Sequence, residues 1–430
     1  MDNKQSSKER AVNNFNNKNT LGISANLKLR HKKERLFSII AKMSNVLTLA
    51  FLLIILVTIC HKGYKSFFTT KIALKLEINK QEANNTTTEY YRSILSNSIK
   101  SGFSAELKDC QCSIDSFLQL ISKNALVEIA KYHKSADFLK NQSATNHQIW
   151  LTASSKVDLF FKYRNGQGLN KQQIQLILNL IKDKQIKTTV NWQFLKGGDS
   201  LNPENVGIFN SLFGSLAIIF ICLITAFPIA VMSAFYLEEF APKNKFIDFL
   251  EISINNLAAI PSIIYGILGL AFYLQIMHLP RASSLVAGIT LAMLVLPIII
   301  IATRSAISSI PKHLRDAAIG IGASKSQLII DHLFPLSIPS IMTGTILAVS
   351  RAIGETAPLL MIGMVAFIID LPANFMQPAT ALPVQIYLWS DSIDLGFAEK
   401  TAAAIIFLLI MLILLNFTAI FIRKKFEKTF

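Results

Sequence analysis

Two ionisable residues interrupt an otherwise apolar stretch: in Ser350-Arg351-Ala352-Ile353-Gly354-Glu355-Thr356-Ala357-Pro358, Arg351 and Glu355 stand four positions apart. On a helix that spacing puts both on one face. Facing lipid, either charge would cost about 2.5–3.5 kcal/mol on insertion scales, so both are expected to face protein or water. Two chemistries fit. The pair can neutralise itself as a buried ion pair that pins helices together. Alternatively, Arg351 can present its planar, permanently charged fork to an oxyanion, with Glu355 holding it or replacing the anion when the site is empty. Catalytic chemistry lacks its parts. There is no G-x-x-x-x-G-K-[ST] loop to cradle nucleotide phosphates and no H-E-x-x-H, and His278, His313 and His332 fall in loops. No catalytic residue, metal site or cofactor is therefore expected. Cys110 and Cys112 form a C-x-C pair with no other clustered ligands, which favours a local disulfide over a metal site, while Cys60 and Cys222 lie in or beside apolar runs.

The elements that must position Arg351 and Glu355 are membrane helices. Of 430 residues, 51% are hydrophobic and only 16% charged, too apolar for a soluble chain of this size. The net charge of +16 sits largely beside long apolar runs, where Lys and Arg mark membrane flanks, so no nucleic acid is implied. Residues 1–35, rich in Asn, Lys and Ser, read as a disordered tail, and Leu36–Cys60 reads as a first transmembrane helix. A signal peptide is the alternative, but the run exceeds the usual h-region and no A-x-A-like site precedes His61-Lys62-Gly63.

Residues 61–206 turn polar and read as an inserted soluble α/β domain. Helices are expected over Ile114–Tyr132 and Gln172–Ile181, a strand-like stretch over Ile149–Phe161, and a turn at Asn165-Gly166. Five further apolar runs follow: Ile208–Leu237, Ile254–Met277, Leu285–Ala302, Ile338–Phe367 and Ala402–Ile422. The fold class is an all-α polytopic membrane protein of six spans with a soluble insert. Basic residues fall in alternate loops (Lys243, Lys245, Lys312, Arg315, Lys325 and the tail Arg423-Lys424-Lys425), whereas the loops holding Arg281 and Lys400 are poor in them. Both termini are then cytoplasmic and the insert faces outward. Pro228, Pro261, Pro297 and Pro358 predict kinks, tolerated where neighbouring helices or a water-filled path satisfy the freed carbonyls.

Residues 309–335, between the fourth and fifth spans, are too patterned for a linker. Pro311 suits a first helical position; Leu314, Ala318 and Ile321 recur at helical spacing; Gly320 or Gly322 can end the turn. Ser324-Lys325-Ser326-Gln327 matches a capping box, and Pro335 is expected to stop the second helix. The reading is two short helices with Ala317, Ala318 and Gly322 allowing close backbone approach. The pattern leaves open whether the knob rests on a protein partner or on anionic lipid.

Asp316-Ala317-Ala318, Gly322 six positions later and Leu333-Phe334-Pro335 resemble the EAA motif of ABC importer permeases, with Asp316 in place of glutamate and His332 in place of an aliphatic residue. Arg351–Pro358 resembles the R-A-x-G-E-T-A-P signature of the PstA-type permeases of phosphate-specific importers, and Asn256–Gly266 is similar to a second stretch of that family. The likeness covers about residues 207–425. It implies a type I importer permease core and a non-catalytic transport subunit of a bacterial inner membrane. It implies as partners a separate ATP-binding subunit, a second similar permease, a periplasmic phosphate-binding protein, inorganic phosphate and the lipid bilayer. It assigns Arg351 and Glu355 to the substrate path or its gating, and Asp316, Ala317, Ala318, Gly322 and Pro335 to ATPase coupling. Two other classes fit less well: a membrane sensor, which would not need charges inside the fifth span, and an intramembrane hydrolase using Glu355, which lacks a histidine partner.

Overall fold

The computed structural model describes residues 2–77, 87–103, 113–134, 146–164 and 166–426. The Cys110/Cys112 pair and Asn165 lie outside them. The chain divides into two compact units, Met1–His61 and Lys62–Phe430. The first is a single helix, α1 (Asp2–Gly63). Helical backbone thus begins well before Arg30, where the polar composition predicted none. Extending a helix already nucleated by an apolar span costs little, and the Lys, Gln, Glu and Arg of this stretch are good helix formers.

In the second unit, the insert is a two-layer α/β domain. Strands β1 (Phe68–Glu77), β2 (Asn146–Thr152) and β3 (Ile186–Val190) form an antiparallel sheet in the order β2-β1-β3. Strand alternation turns Ile72, Leu74 and Leu76 with Ile149 and Leu151 to one face. There they meet α2 (Thr88–Gly102), α3 (Ile114–Leu118), α4 (Ala125–His133), α5 (Ser155–Tyr163) and α6 (Lys171–Lys182), around buried Phe117, Ile129 and Leu176.

Two local expectations fail here. The helix expected over Ile114–Tyr132 is broken between α3 and α4, where Ile121 bridges to Ala153 and Ser122 N–H donates to Thr152 O at 2.9 Å. The strand expected over Ile149–Phe161 ends at Thr152, and Ser154 starts α5. Val157 and Phe160 then bury at a spacing of three, the helical period that the aromatic and β-branched composition masked. A short helix, α7 (Trp192–Lys196), leads to the membrane core.

Among the described residues, five helices are long and apolar enough to cross a membrane, or six if one bent pair is counted as a single span. After α1 these are α8 (Phe209–Phe235, continued by a wide turn to Phe240), the pair α9 (Lys245–Ala258) and α10 (Ser262–Ile276), α11 (Ser284–Ser308), α13 (Lys325–Gly354) and α16 (Gly396–Phe426). Between them, α12 (Lys312–Gly320) precedes α13, and α14 (Ala357–Met361) and α15 (Leu382–Ser390) precede α16. Small residues set the packing: Ala226, Ala230 and Ala234 repeat every fourth residue along α8 and are fully buried. A Cβ at Gly288 of α11 would stand 2.6 Å from Ile221.

The prolines act differently from one another. Pro228 and Pro297 lie within continuous helices. At Pro261 the chain breaks and turns by 101°, so the third run is not one straight span. Pro358 sits in the first turn of α14, where its missing N–H costs nothing. The fifth span therefore ends at Gly354 rather than Phe367.

Candidate functional site

Arg351 lies in the last turn of α13, a position favoured for a cation by the helix dipole, and Glu355 caps the helix with extended backbone (φ −78°, ψ 119°). The two do not share a helical face as the spacing predicted. They still meet at the helix end: Arg351 Nε lies 3.4 Å from Glu355 Oε1. At that length the contact is loose, and the arginine side chain is 43% exposed against 18% for the glutamate. Most of the guanidinium's donors therefore remain open to a further acceptor.

The floor beneath the pair joins the two motif stretches. α10 packs on α14 so closely that a Cβ at Gly266 would stand 2.6 Å from Pro358 Cα. Tyr265 fixes the break before α10 by donating its hydroxyl to Leu257 O at 2.7 Å. Ser350, next to Arg351, donates to Asn416 Oδ1 of α16 at 2.9 Å.

The 309–335 arm differs in part from expectation. α12 ends in a Schellman motif: Ala323 N–H donates to Ala318 O at 3.0 Å, Gly322 N–H to Ile319 O at 2.9 Å, and Gly322 takes φ +89°. The Ser324/Gln327 capping box is present. The second helix is not short, however, and Pro335 does not stop it. Leu328–Leu333 adopts wide π-helical turns, which displace the carbonyl that the proline ring would strike, and α13 runs on to Gly354. Ala318 points inward and is buried, whereas Asp316, Ala317 and Gly322 are exposed beside Leu314 and an 84% exposed Ile321. The helical-spacing triplet thus splits between two faces and leaves an outward apolar patch.

Arg315, a basic loop residue by sequence, anchors this arm. Its guanidinium donates to Glu239 Oε1 at 3.0 Å, Ile310 O at 2.7 Å and Ile307 O at 2.8 Å, holding one carbonyl in the last turn of α11 and one just beyond it. Arg304 adds a second clasp, to Glu251 at 2.7 Å and Glu238 at 3.4 Å. The adjacent acids Glu238-Glu239 at the end of an apolar run were the available signal.

A further charge cluster joins the insert to α16. Lys162 of α5 pairs with Asp158 at 2.5 Å and with Glu399 of α16 at 3.0 Å, and the Lys162 and Glu399 side chains are each only 6% exposed. Lys400, expected in a loop, lies inside α16, is buried, and donates to Ser66 O at 3.4 Å. Burial and the nearby Glu399 push the Tyr163 hydroxyl pKa well up. Burial likewise raises the Glu204 carboxyl, helped by Asp394. The linker to α8 is tied to the loop beyond the Arg351 segment: Asp199 N–H donates to Ile368 O at 3.0 Å, and Gln385 Nε2 donates to Asp199 Oδ1 at 3.0 Å. Burial raises the Asp199 carboxyl despite those bonds.

Residues 226–430 match the family model described as a binding-protein-dependent transport system inner membrane component, and residues 24–171 match a domain of unknown function, DUF3333. The probable ABC transporter permease protein YqgI of Bacillus subtilis (strain 168) is 34% identical over 211 residues, 46% of this chain and 71% of that protein. The phosphate transport system permease protein PstA of Haemophilus influenzae is 30% identical over 223 residues, 52% of this chain and 78% of that protein. The chain belongs to the PstA-type ABC transporter permeases. It is accordingly a multi-pass, non-catalytic component of an ABC importer. Among solved structures, the inward-facing methionine transporter MetNI aligns over 52% of this chain and 95% of that one, with TM-score 0.40 and 18% identity. The DUF3333 match takes in Leu36–Cys60 and residues 61–171 of the insert, while residues 172–206 lie outside both family models.

Proposed function

We propose that this permease imports inorganic phosphate, with Arg351 and Glu355 in the substrate path or its gate. The observation that carries the reading is the loose Arg351–Glu355 contact at the open end of α13, beside the α10–α14 floor. A permanently charged fork with free donors suits an oxyanion. Glu355, 3.4 Å away, can neutralise it when no anion is bound. The charge at the end of a membrane helix needs a water-filled path or a second subunit opposite it, which agrees with a pair of permeases alternating access between two sides.

In the same reading, α12 docks a separate ATP-binding subunit. Asp316, Ala317 and Gly322 form the contact face, Ala318 seats the arm on the core, and Pro335 lies in the helix that carries motion to Arg351. The remaining partners are a second permease and an extracytoplasmic phosphate-binding protein, in a bacterial inner membrane with both termini cytoplasmic. Radiolabelled phosphate uptake with Arg351→Ala tests the substrate. Uptake should fall to background while the subunit stays at normal level, and normal uptake at normal level overturns the assignment. Purifying the tagged chain from membranes should bring down an ATPase and a second permease.

A further inference from the structure

The face of the insert's sheet that turns away from its core is open and carries an unusual charge pattern. β1 pairs with β3 so that Lys71 stands directly opposite Lys187, and on the other side Lys71 stands opposite Thr152. Like charges directly opposed across a sheet are destabilising on their own. Neither lysine pairs with a carboxylate among the described residues. Lys187 Nζ instead lies 3.7 Å from the centre of the Trp150 ring.

This face floors a cleft of about 540 Å³, within the range of small-molecule sites. One wall is α4, with Lys131 and Tyr132; the other holds Trp192, Gln193 and Asn205. Trp192 is 62% exposed. Among the described residues, the two acids of the cleft, Glu128 and Glu204, form no ion pair with its lysines, Lys71 and Lys131. Thr152 holds both oxygens of the Glu128 carboxylate, its N–H donating to Oε2 at 2.9 Å and its hydroxyl to Oε1 at 2.5 Å. Glu204 is drawn toward its neutral form by burial.

We propose that this cleft binds a small organic phosphoester, a sugar phosphate or a nucleotide, with Lys71 and Lys131 holding the anionic group and Trp150 and Trp192 the ring. Lys71 and Lys131 offer two cations to an anion in the cleft, and the indole surfaces beside them select one attached to a flat or ring-shaped body. Gln148, Asn124 and Gln193 on the rim supply neutral hydrogen bonds for hydroxyls or a base. Nothing in this reading depends on what the membrane core transports.

Two of the chain's three tryptophans line the cleft, so intrinsic fluorescence of the full-length protein in detergent reports on it. Titrations with AMP and with glucose 6-phosphate should give saturable quenching from at least one of them. Adenosine, glucose and inorganic phosphate should each bind at least about tenfold more weakly, as expected for losing either half of the contact. Lys71→Met should weaken the phosphoester by about tenfold or more, and Lys71→Arg should restore it. Circular dichroism and thermal melting check that each variant folds; should Lys71→Met unfold, Lys131→Met takes its place. The proposal fails if neither phosphoester quenches, if inorganic phosphate competes equally well, or if a folded lysine variant binds as the wild type does.

Discussion

Replacing Lys162 by Met leaves the carboxylates of Asp158 and Glu399 buried with their common cation gone. At 3.0 Å and an effective dielectric near 20, the Lys162–Glu399 attraction is about 5–6 kcal/mol before desolvation is set against it. With both side chains 6% exposed, solvent screens little of this. Breaking a buried pair by removing one partner costs about 3–5 kcal/mol, because the other charge is stranded. Lys162→Met should therefore destabilise the chain by about 3–5 kcal/mol, whereas Lys162→Met with Glu399→Leu should recover the part due to stranded Glu399 and leave the part due to Asp158, which still lacks its cation. The assay is a double-mutant cycle in urea or guanidinium on the detergent-solubilised chain, with proteolysis at residues 197–207 reporting release of the insert from α16. A single-variant cost under about 1 kcal/mol, the size of an exposed pair, would refute the argument that this cluster is a buried clamp.

Arg315→Ala should free α12 from the end of α11 by removing three hydrogen bonds. It should lower the yield of co-purified ATPase severalfold more than Lys312→Ala, which alters an exposed neighbour; quantitative blotting of the pull-down measures this. Gly322→Val should destabilise by about 1–2 kcal/mol because φ +89° is strained for a β-branched side chain, read as a lower melting temperature. Glu204 has a folded pKa raised above its ordinary 4.5, so its stabilising contribution is present below that value and is lost as pH rises through the folded pKa. Glu204→Gln should consequently raise the melting temperature near pH 7 relative to wild type and have little effect near pH 4; equal effects at both values would count against burial as the cause.

Much of the membrane core was legible because lipid imposes a simple rule: long apolar runs become helices. Leu36–Cys60, Leu285–Ala302 and Ala402–Ile422 fall within helices, and Ile208–Leu237 does so from Phe209 on. Capping chemistry was also local, so Ser324/Gln327 and Gly322 appear in the roles their types predicted. The misreadings arose where a residue has two structural uses. Pro261 and Pro358 mark breaks rather than kinks, while Pro335 is absorbed by a π-helical stretch. The apolar run Ile338–Phe367 could not reveal that its helix stops at Gly354, since apolarity alone does not distinguish a span from a span followed by a turn.

By itself, the sequence determined the class of the molecule, the order of its spans, the soluble insert and the two motif stretches, since these depend on composition and on residues near one another in the chain. Tertiary structure decided which residues meet. The Gly266–Pro358 contact, the Arg315 anchor and the Lys162–Glu399 clamp each bring together positions far apart in the chain. A charge or a glycine there reads as surface or loop until packing supplies its partner. The Arg351–Glu355 pair lies between these cases: the two residue types were plain, but their contact comes from a helix ending rather than from a shared helical face.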